Sequence, residues 1–182
     1  MEKLKIAGEY PADAPTHPAN NEPQYYDMIV FCHLRWQFVY QRPQHIISRM
    51  AKELKILMVE EPVHFEEGEE NTARLMTITP QLHILQPKVR SIDAIAGILG
   101  DYVLNKEVAV GWFYSASFSA LLEAVSFGTV VYDCMDELSL FKGAPQQLID
   151  QERYLISNTD IVFTGGKALY ESKKEMHYNV HC

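Results

Sequence analysis

The run Met28-Ile29-Val30-Phe31-Cys32 follows Asp27 and is apolar throughout. A short, continuous apolar run is typical of a strand that is buried on both faces of a sheet. Pro43 then opens a stretch with apolar residues at helical spacing, and proline is tolerated in the first turn of a helix. A second apolar run, Ile56-Leu57-Met58-Val59, comes next. Strand, helix and strand in this order predict a βαβ unit with parallel strands.

The same alternation continues along the rest of the chain. It predicts an α/β fold, a Rossmann-like parallel sheet with helices on both faces, over residues 27–182. Residues 1–26 carry four prolines in a polar stretch and are predicted to be an irregular N-terminal tail. The later predicted strands cover 75–79, 82–85, 108–114, 129–132 and 161–164, with a last one beginning at Asn179, and the later predicted helices cover 92–103, 118–125, 148–156 and 167–174.

The composition is that of an ordinary globular protein. Of the 182 residues, 47% are hydrophobic and 22% are charged, so we expect one domain with a sizeable core. No apolar run approaches the ~20 residues of a membrane-spanning helix. The formal net charge of −8 disfavours nucleic acid as a partner. The sequence starts with the charged Met1-Glu2-Lys3-Leu4-Lys5, and three cysteines make no disulfide framework, so we expect the reducing cytoplasm.

The common chemical motifs are absent from the sequence. The nine glycines form no Gly-x-Gly-x-x-Gly dinucleotide fingerprint, no P-loop and no Gly-x-Ser-x-Gly elbow. Neither Cys-x-x-Cys nor His-Glu-x-x-His occurs. His177 and His181 are four residues apart beside Cys182, but the pattern between them predicts a turn into a strand rather than a helix, so we expect no metal.

Ligands of an open parallel sheet bind outside the carboxyl ends of its strands. The first strand is followed by His33, Trp36, Arg42 and His45, close to the start of a helix. A helix N-terminus with an arginine beside it favours an anion, because free N–H groups and a forked cation converge there. The alternative is structural: the aromatic residues cover an edge of the core, and Arg42 pairs with an acid at the surface.

The later strands end in further candidates. Asp133 and Asp136 follow the strand 129–132, where a carboxylate can hold sugar hydroxyls or act as a base. Helix capping and solvated charge are the alternative for these acids. Tyr114 ends the strand 108–114, with Ser117 predicted to cap the next helix. Gly165 follows the strand 161–164, where the backbone can approach a ligand closely.

Several blocks of the sequence, in order, resemble bacterial glycosyltransferases of the family-4-like, GT-B type. The resemblance covers about Asp27 to Cys182 and leaves the tail outside. It implies the N-terminal, acceptor-side domain of a two-domain enzyme, in which the strand beginning at Asn179 would lead to a C-terminal donor domain that is absent here. The glycine-rich loop that many relatives have after the first strand is replaced by residues 34–41. The blocks are Trp36-Gln37-Phe38-Val39-Tyr40-Gln41-Arg42-Pro43-Gln44-His45, Val59-Glu60-Glu61-Pro62, Val131-Tyr132-Asp133-Cys134-Met135-Asp136-Glu137 and Asp160-Ile161-Val162-Phe163-Thr164-Gly165.

The resemblance implies transfer of a sugar from a nucleotide-sugar to a hydroxyl, in glycan or polysaccharide synthesis. The nucleotide-sugar is a co-substrate, and neither a cofactor nor a metal is expected. On this hypothesis Asp133 or His33 serves the acceptor hydroxyl, and Arg42 with the helix start meets the phosphates. Trp36 and Tyr114 would stack on sugar faces.

The isolated chain is then expected to be inactive, and the intact enzyme to work in the cytoplasm or at the inner face of the membrane. A homodimer through surfaces that the donor domain would cover stays open. Two other functions compete with this hypothesis. One is a non-catalytic α/β binding or scaffolding module, and the other is a Rossmann-type oxidoreductase, which the missing glycine fingerprint disfavours.

Overall fold

A computed structural model describes residues 22–136 and 145–182. Its β-strands form a single eight-stranded sheet, and helices and 3₁₀ segments connect them. The strands are β1 (Met28–Cys32), β2 (Ile56–Glu60), β3 (Thr72–Thr79), β4 (Leu82–Lys88), β5 (Glu107–Phe113), β6 (Ser126–Cys134), β7 (Ile161–Thr164) and β8 (Val180–His181). The helices are α1 (Arg42–Met50), α2 (Ala96–Leu99), α3 (Gln146–Ser157) and α4 (Lys167–Lys173), with 3₁₀ segments at Asp93–Ile95 and Ala116–Glu123.

The strand order confirms the α/β prediction and shows its doubly wound form. The strands lie in the order β3-β4-β2-β1-β5-β6-β7-β8, and all neighbours are parallel except β3 and β4. Without the antiparallel β3, the first six parallel strands follow the Rossmann order 3-2-1-4-5-6. The chain first adds β2 and then β3 and β4 on one side of β1, and it then returns to add β5, β6, β7 and β8 on the other side. The switch point, where the direction of strand addition reverses, lies between β1 and β5.

The sheet separates two cores. On one face of the sheet, the side chains of Val30 and Met58 pack in one core with Ile47 of α1. On the other face Phe31 and Val59 belong to a larger core. That core also receives Leu99 of α2, Leu121 of the second 3₁₀ segment and Leu155 of α3. The five residues of β1 are all buried, as expected for a central strand covered on both faces.

Residues 22–26, which we assigned to the tail, are held by the domain. Gln24 bridges to Val103 as a parallel partner, and the Tyr26 side chain is 2% exposed. The Tyr26 hydroxyl lies 2.8 Å from His83 Nδ1. The remainder of the predicted tail, residues 1–21, lies outside the described residues.

Two predicted helices differ from the structure. The stretch 92–103 is a 3₁₀ turn followed by the four-residue α2, and the stretch 118–125 corresponds to a 3₁₀ segment at Ala116–Glu123. Ser115 rather than Ser117 caps that segment, because the Ser115 hydroxyl accepts from the Ser117 N–H at 3.3 Å. Within the described ranges, no helix is both long and apolar enough to cross a membrane.

Candidate functional site

Four buried polar atoms mark the switch point of the sheet. In the described part of the chain, the buried side-chain atoms that lack a hydrogen bond are His33 Nδ1, Trp112 Nε1, Tyr114 OH and Asp133 Oδ1. His33 and Tyr114 directly follow β1 and β5, while Trp112 and Asp133 lie next to last in β5 and β6. Buried polar groups are nearly always paired, so each exception needs an explanation. Their clustering at the carboxyl ends of three adjacent strands makes this edge the candidate ligand site.

Asp133 and Arg42 form the charged centre of this edge. Arg42 Nε donates a hydrogen bond to Asp133 Oδ2 at 3.3 Å. Arg42 Nη2 lies 2.9 Å from Asp133 Oδ1 as an ion pair, but the geometry there is not that of a hydrogen bond. The Asp133 side chain is 0% exposed and that of Arg42 is 40% exposed. Arg42 thus pairs with an acid, as the structural alternative held, but the acid is buried rather than at the surface.

The surroundings of Asp133 act on its charge in opposite directions. Burial raises the pKa of this carboxyl, and the Arg42 guanidinium opposes that rise. Tyr114 and Trp112 lie near enough to stabilise the carboxylate, although neither reaches it with good hydrogen-bond geometry. A substrate hydroxyl has no access to Asp133 in this structure, because the ion pair and the two aromatic side chains enclose it.

The start of α1 offers fewer free N–H groups than its position suggests. Pro43 lies in the first turn and has no N–H. The Gln41 N–H donates to Gln44 Oε1 at 3.0 Å, within the same turn. The attraction for an anion at this helix end therefore depends mainly on the Arg42 guanidinium.

His33 lines a small cavity at the same edge of the sheet. The cavity is about 10 Å³, which is room for about one water molecule. Burial lowers the pKa of His33, while the negative charges of Glu61 and Asp136 oppose that shift. A neutral imidazole at this position can accept a proton. The residues that line the cavity are His33, Tyr114, Ser115, Ala116, Tyr132, Asp136, Leu148 and Glu152.

The loop of residues 34–41 is held in place by Glu60. The Glu60 carboxylate is almost fully buried and accepts the Trp36 N–H at 2.7 Å. It also accepts from Arg35 Nη1 and Gln86 Nε2, each at 3.0 Å. The Arg35 guanidinium continues to the carbonyl oxygens of Glu61 and Pro62 at 2.5 and 3.1 Å. Arg35 is therefore engaged in holding the loop.

The remaining candidates lie in different surroundings. Trp36 and Tyr114 are 7% and 2% exposed and belong to the core beneath α1, so neither presents an open ring face for a sugar. His45 is exposed on α1, with its ring edge against Tyr40 at 4.4 Å between centroids, away from the unpaired atoms. Gly165 approaches the backbone directly after β6, since an added Cβ would lie 3.0 Å from the Met135 carbonyl oxygen.

Two residues of this edge, Trp112 and Gln44, were not singled out from the sequence, and Glu60 was noted only within the block Val59-Glu60-Glu61-Pro62 at the end of the second strand. Trp112 shares the sheet face of Tyr114, and their separation by two positions in a strand was the available signal. Glu60 ends a buried strand, where a carboxylate needs partners. Gln44 is fully buried and donates from Nε2 to the carbonyl oxygens of Arg35, Trp36 and Val39, a role that no pattern announces.

No protein-family model matches the chain, and no curated protein matches it. In the part of the chain that is described, no three metal-ligating side chains come together.

Proposed function

We propose that this chain is the acceptor-side domain of a GT-B-type glycosyltransferase, which moves a sugar from a nucleotide-sugar to a hydroxyl. The observation that carries the proposal is the Arg42–Asp133 ion pair at the switch point, in which the carboxylate is buried and the Arg42 side chain is 40% exposed, with the unpaired polar atom of His33 at the same edge. Polar groups that are unpaired at the carboxyl-end edge of a Rossmann-like sheet can form hydrogen bonds with a polar ligand that binds there.

The reaction makes three demands on the protein. It has to orient the acceptor, remove the proton of the acceptor hydroxyl and neutralise the departing diphosphate. We assign the diphosphate to Arg42, since a guanidinium matches phosphate oxygens. We assign the proton to His33 rather than Asp133, because a buried ion pair encloses the carboxylate, whereas the neutral His33 lines a cavity.

The size of the cavity bears on how the site would be completed. Room for about one water molecule cannot hold a sugar or a nucleotide. On the proposed function, a donor domain facing this edge would form the other wall of the cleft. The same small cavity favours the second candidate, a non-catalytic binding module, in which the edge contacts a polar partner without chemistry.

The test uses the complete gene product that contains this chain. It is incubated with nucleotide-sugars and a panel of hydroxyl acceptors, and the released nucleoside diphosphate is measured. We expect acceptor-dependent release that falls by about 10²-fold or more in His33→Ala and in Arg42→Ala. Binding of nucleoside diphosphate with no release from any donor would favour the binding module instead. The control is Arg49→Ala, which changes an exposed arginine on α1 outside the site.

A further inference from the structure

We propose that Asp133 is a positioning residue, which holds the Arg42 guanidinium in place for an incoming phosphate group. The inference rests on the proposed function, since it assumes that Arg42 meets a phosphate there. It differs from the role expected for Asp133 from the sequence, that of a base at the acceptor hydroxyl.

The contact geometry divides the guanidinium into a held edge and an open edge. The edge formed by Nε and Nη2 faces the two carboxylate oxygens of Asp133, at 3.3 and 2.9 Å. Within the described residues, Nη1 has no hydrogen-bonding partner, and the Arg42 side chain is 40% exposed. The donors on Nη1 and the second hydrogen of Nη2 remain for a ligand, and a fork of this kind matches phosphate oxygens.

Both ends of this pair are anchored in regular structure. Arg42 begins α1, whose first turn is fastened by the bond from the Gln41 N–H to Gln44 Oε1. Asp133 lies in β6, where it is in register with Phe163 of β7. A free arginine side chain loses rotamer freedom when it binds a ligand, whereas one already held by a carboxylate loses less. The ion pair with Asp133 thus reduces the conformational entropy that Arg42 loses when it binds a phosphate group.

The other neighbours of Asp133 are consistent with a holding role. The Tyr114 hydroxyl and the Trp112 indole lie beside the carboxylate, and both side chains are almost fully buried. They keep water and substrate away from the oxygens that face Arg42. A carboxylate that substrate cannot reach can orient the Arg42 guanidinium but cannot take a proton from a substrate.

The test measures binding of inorganic pyrophosphate by calorimetry. We expect Arg42→Ala to weaken binding by about 10–100-fold, as for loss of a charged hydrogen-bonding group. We expect Asp133→Asn to weaken it by about tenfold, the size typical of losing a partner that orients a ligand-binding group. Removing a negative charge would by itself strengthen the binding of an anion, so weaker binding isolates the loss of orientation. In the Arg42→Ala background, Asp133→Asn should have no further effect.

A spectroscopic readout separates orientation from folding. The Arg42 Nε–H signal in a ¹⁵N-correlated spectrum should be protected from solvent exchange in the wild type and lose that protection in Asp133→Asn. Arg42→Lys keeps the charge but cannot meet both carboxylate oxygens side by side as the guanidinium does, so it should also bind pyrophosphate about tenfold more weakly. This variant changes a half-exposed side chain and tests the proposal even if Asp133→Asn does not fold.

The outcomes distinguish this proposal from the proposed function. If the wild type fails to bind pyrophosphate, or Arg42→Ala binds it equally well, the anion site of the proposed function is wrong and the positioning role is wrong with it. If Arg42→Ala loses binding but Asp133→Asn or Arg42→Lys binds as well as the wild type or better, only the positioning role is overturned. Loss in all three variants, with Arg49→Ala unchanged, supports both.

Discussion

Lys173 Nζ lies 3.0 Å from Glu152 Oε1, and the two side chains are only 1% and 6% exposed. The same Glu152 oxygen accepts the Tyr132 hydroxyl at 2.9 Å. The pair joins α4 to α3 over the end of β6, next to the His33 cavity that Glu152 and Tyr132 line. A buried ion pair stabilises a fold little in itself, but the loss of one partner leaves an uncompensated charge in the interior.

Lys173→Met should therefore lower the free energy of unfolding by about 3–5 kcal/mol, because Glu152 loses its buried ammonium partner. Chemical denaturation followed by circular dichroism measures the change. The neighbouring Lys174 is the matched control, since it pairs with Glu171 at the surface. Lys174→Met should leave the midpoint unchanged, as exposed pairs contribute little. Equal effects of the two variants would contradict the structural role of the buried pair.

Glu60→Gln should loosen the loop of residues 34–41. The substitution keeps the volume of the side chain but removes the charge that binds Arg35. Its amide nitrogen would face a donor in either orientation, the Trp36 N–H in one and the Arg35 and Gln86 groups in the other. We expect a loss of about 1–3 kcal/mol, the cost of a buried charged group left without its partners. Faster hydrogen exchange of the loop amides would accompany it. Glu61→Gln is the control, because Arg35 contacts only the backbone carbonyl of Glu61.

The sequence predicted the centre of the sheet well, because β1 and most of β2 are continuous apolar runs. The strand predicted at 161–164 is β7 itself, and the one at 28–32 is β1. The spacing of Phe118 and Leu121 could not separate a 3₁₀ from an α-helix, since both place such residues on one face. The rule that ligands bind at the carboxyl ends of parallel strands also pointed to Asp133, His33 and Tyr114, which lie at one edge of the sheet. The pairing of Arg42 with Asp133 could not be read, because it joins residues 91 positions apart and depends on how α1 lies on the sheet.

Gly165→Ala should destabilise the domain where β6 and β7 end. The added Cβ would lie 3.0 Å from the Met135 carbonyl oxygen, and backbone cannot move aside as a flexible side chain can. We expect a loss of about 1–2 kcal/mol, typical of overpacking, measured as a shift of the thermal midpoint. At Gly166 an added Cβ meets nothing within 4 Å, so Gly166→Ala is the matched control. A larger effect at Gly166 than at Gly165 would contradict this packing.

The Tyr26–His83 pair should make stability depend on pH. The Tyr26 hydroxyl and His83 Nδ1 are 2.8 Å apart, and His83 is 4% exposed. Burial lowers the pKa of His83, and the positive charge of Lys55 adds to that shift. The unfolded chain therefore takes up a proton at a higher pH than the folded chain does. The contribution of His83 to the free energy of unfolding should be complete above about pH 6.5. It should decrease as the pH falls below that value, by at most about 1.4 kcal/mol per pH unit.

Denaturant titrations at a series of pH values from roughly 7 to 5 measure this slope. Burial also lowers the pKa of His33, so the wild-type slope has two contributions of the same sign. His83→Gln should reduce the dependence of stability on pH without abolishing it, because His33 still contributes. It should also lower the free energy of unfolding at every pH, because it alters the hydrogen bond with the Tyr26 hydroxyl. His64→Gln is the control for replacing a surface histidine, since that side chain is 86% exposed. A wild-type stability that rises on acidification would contradict the burial of both neutral histidines.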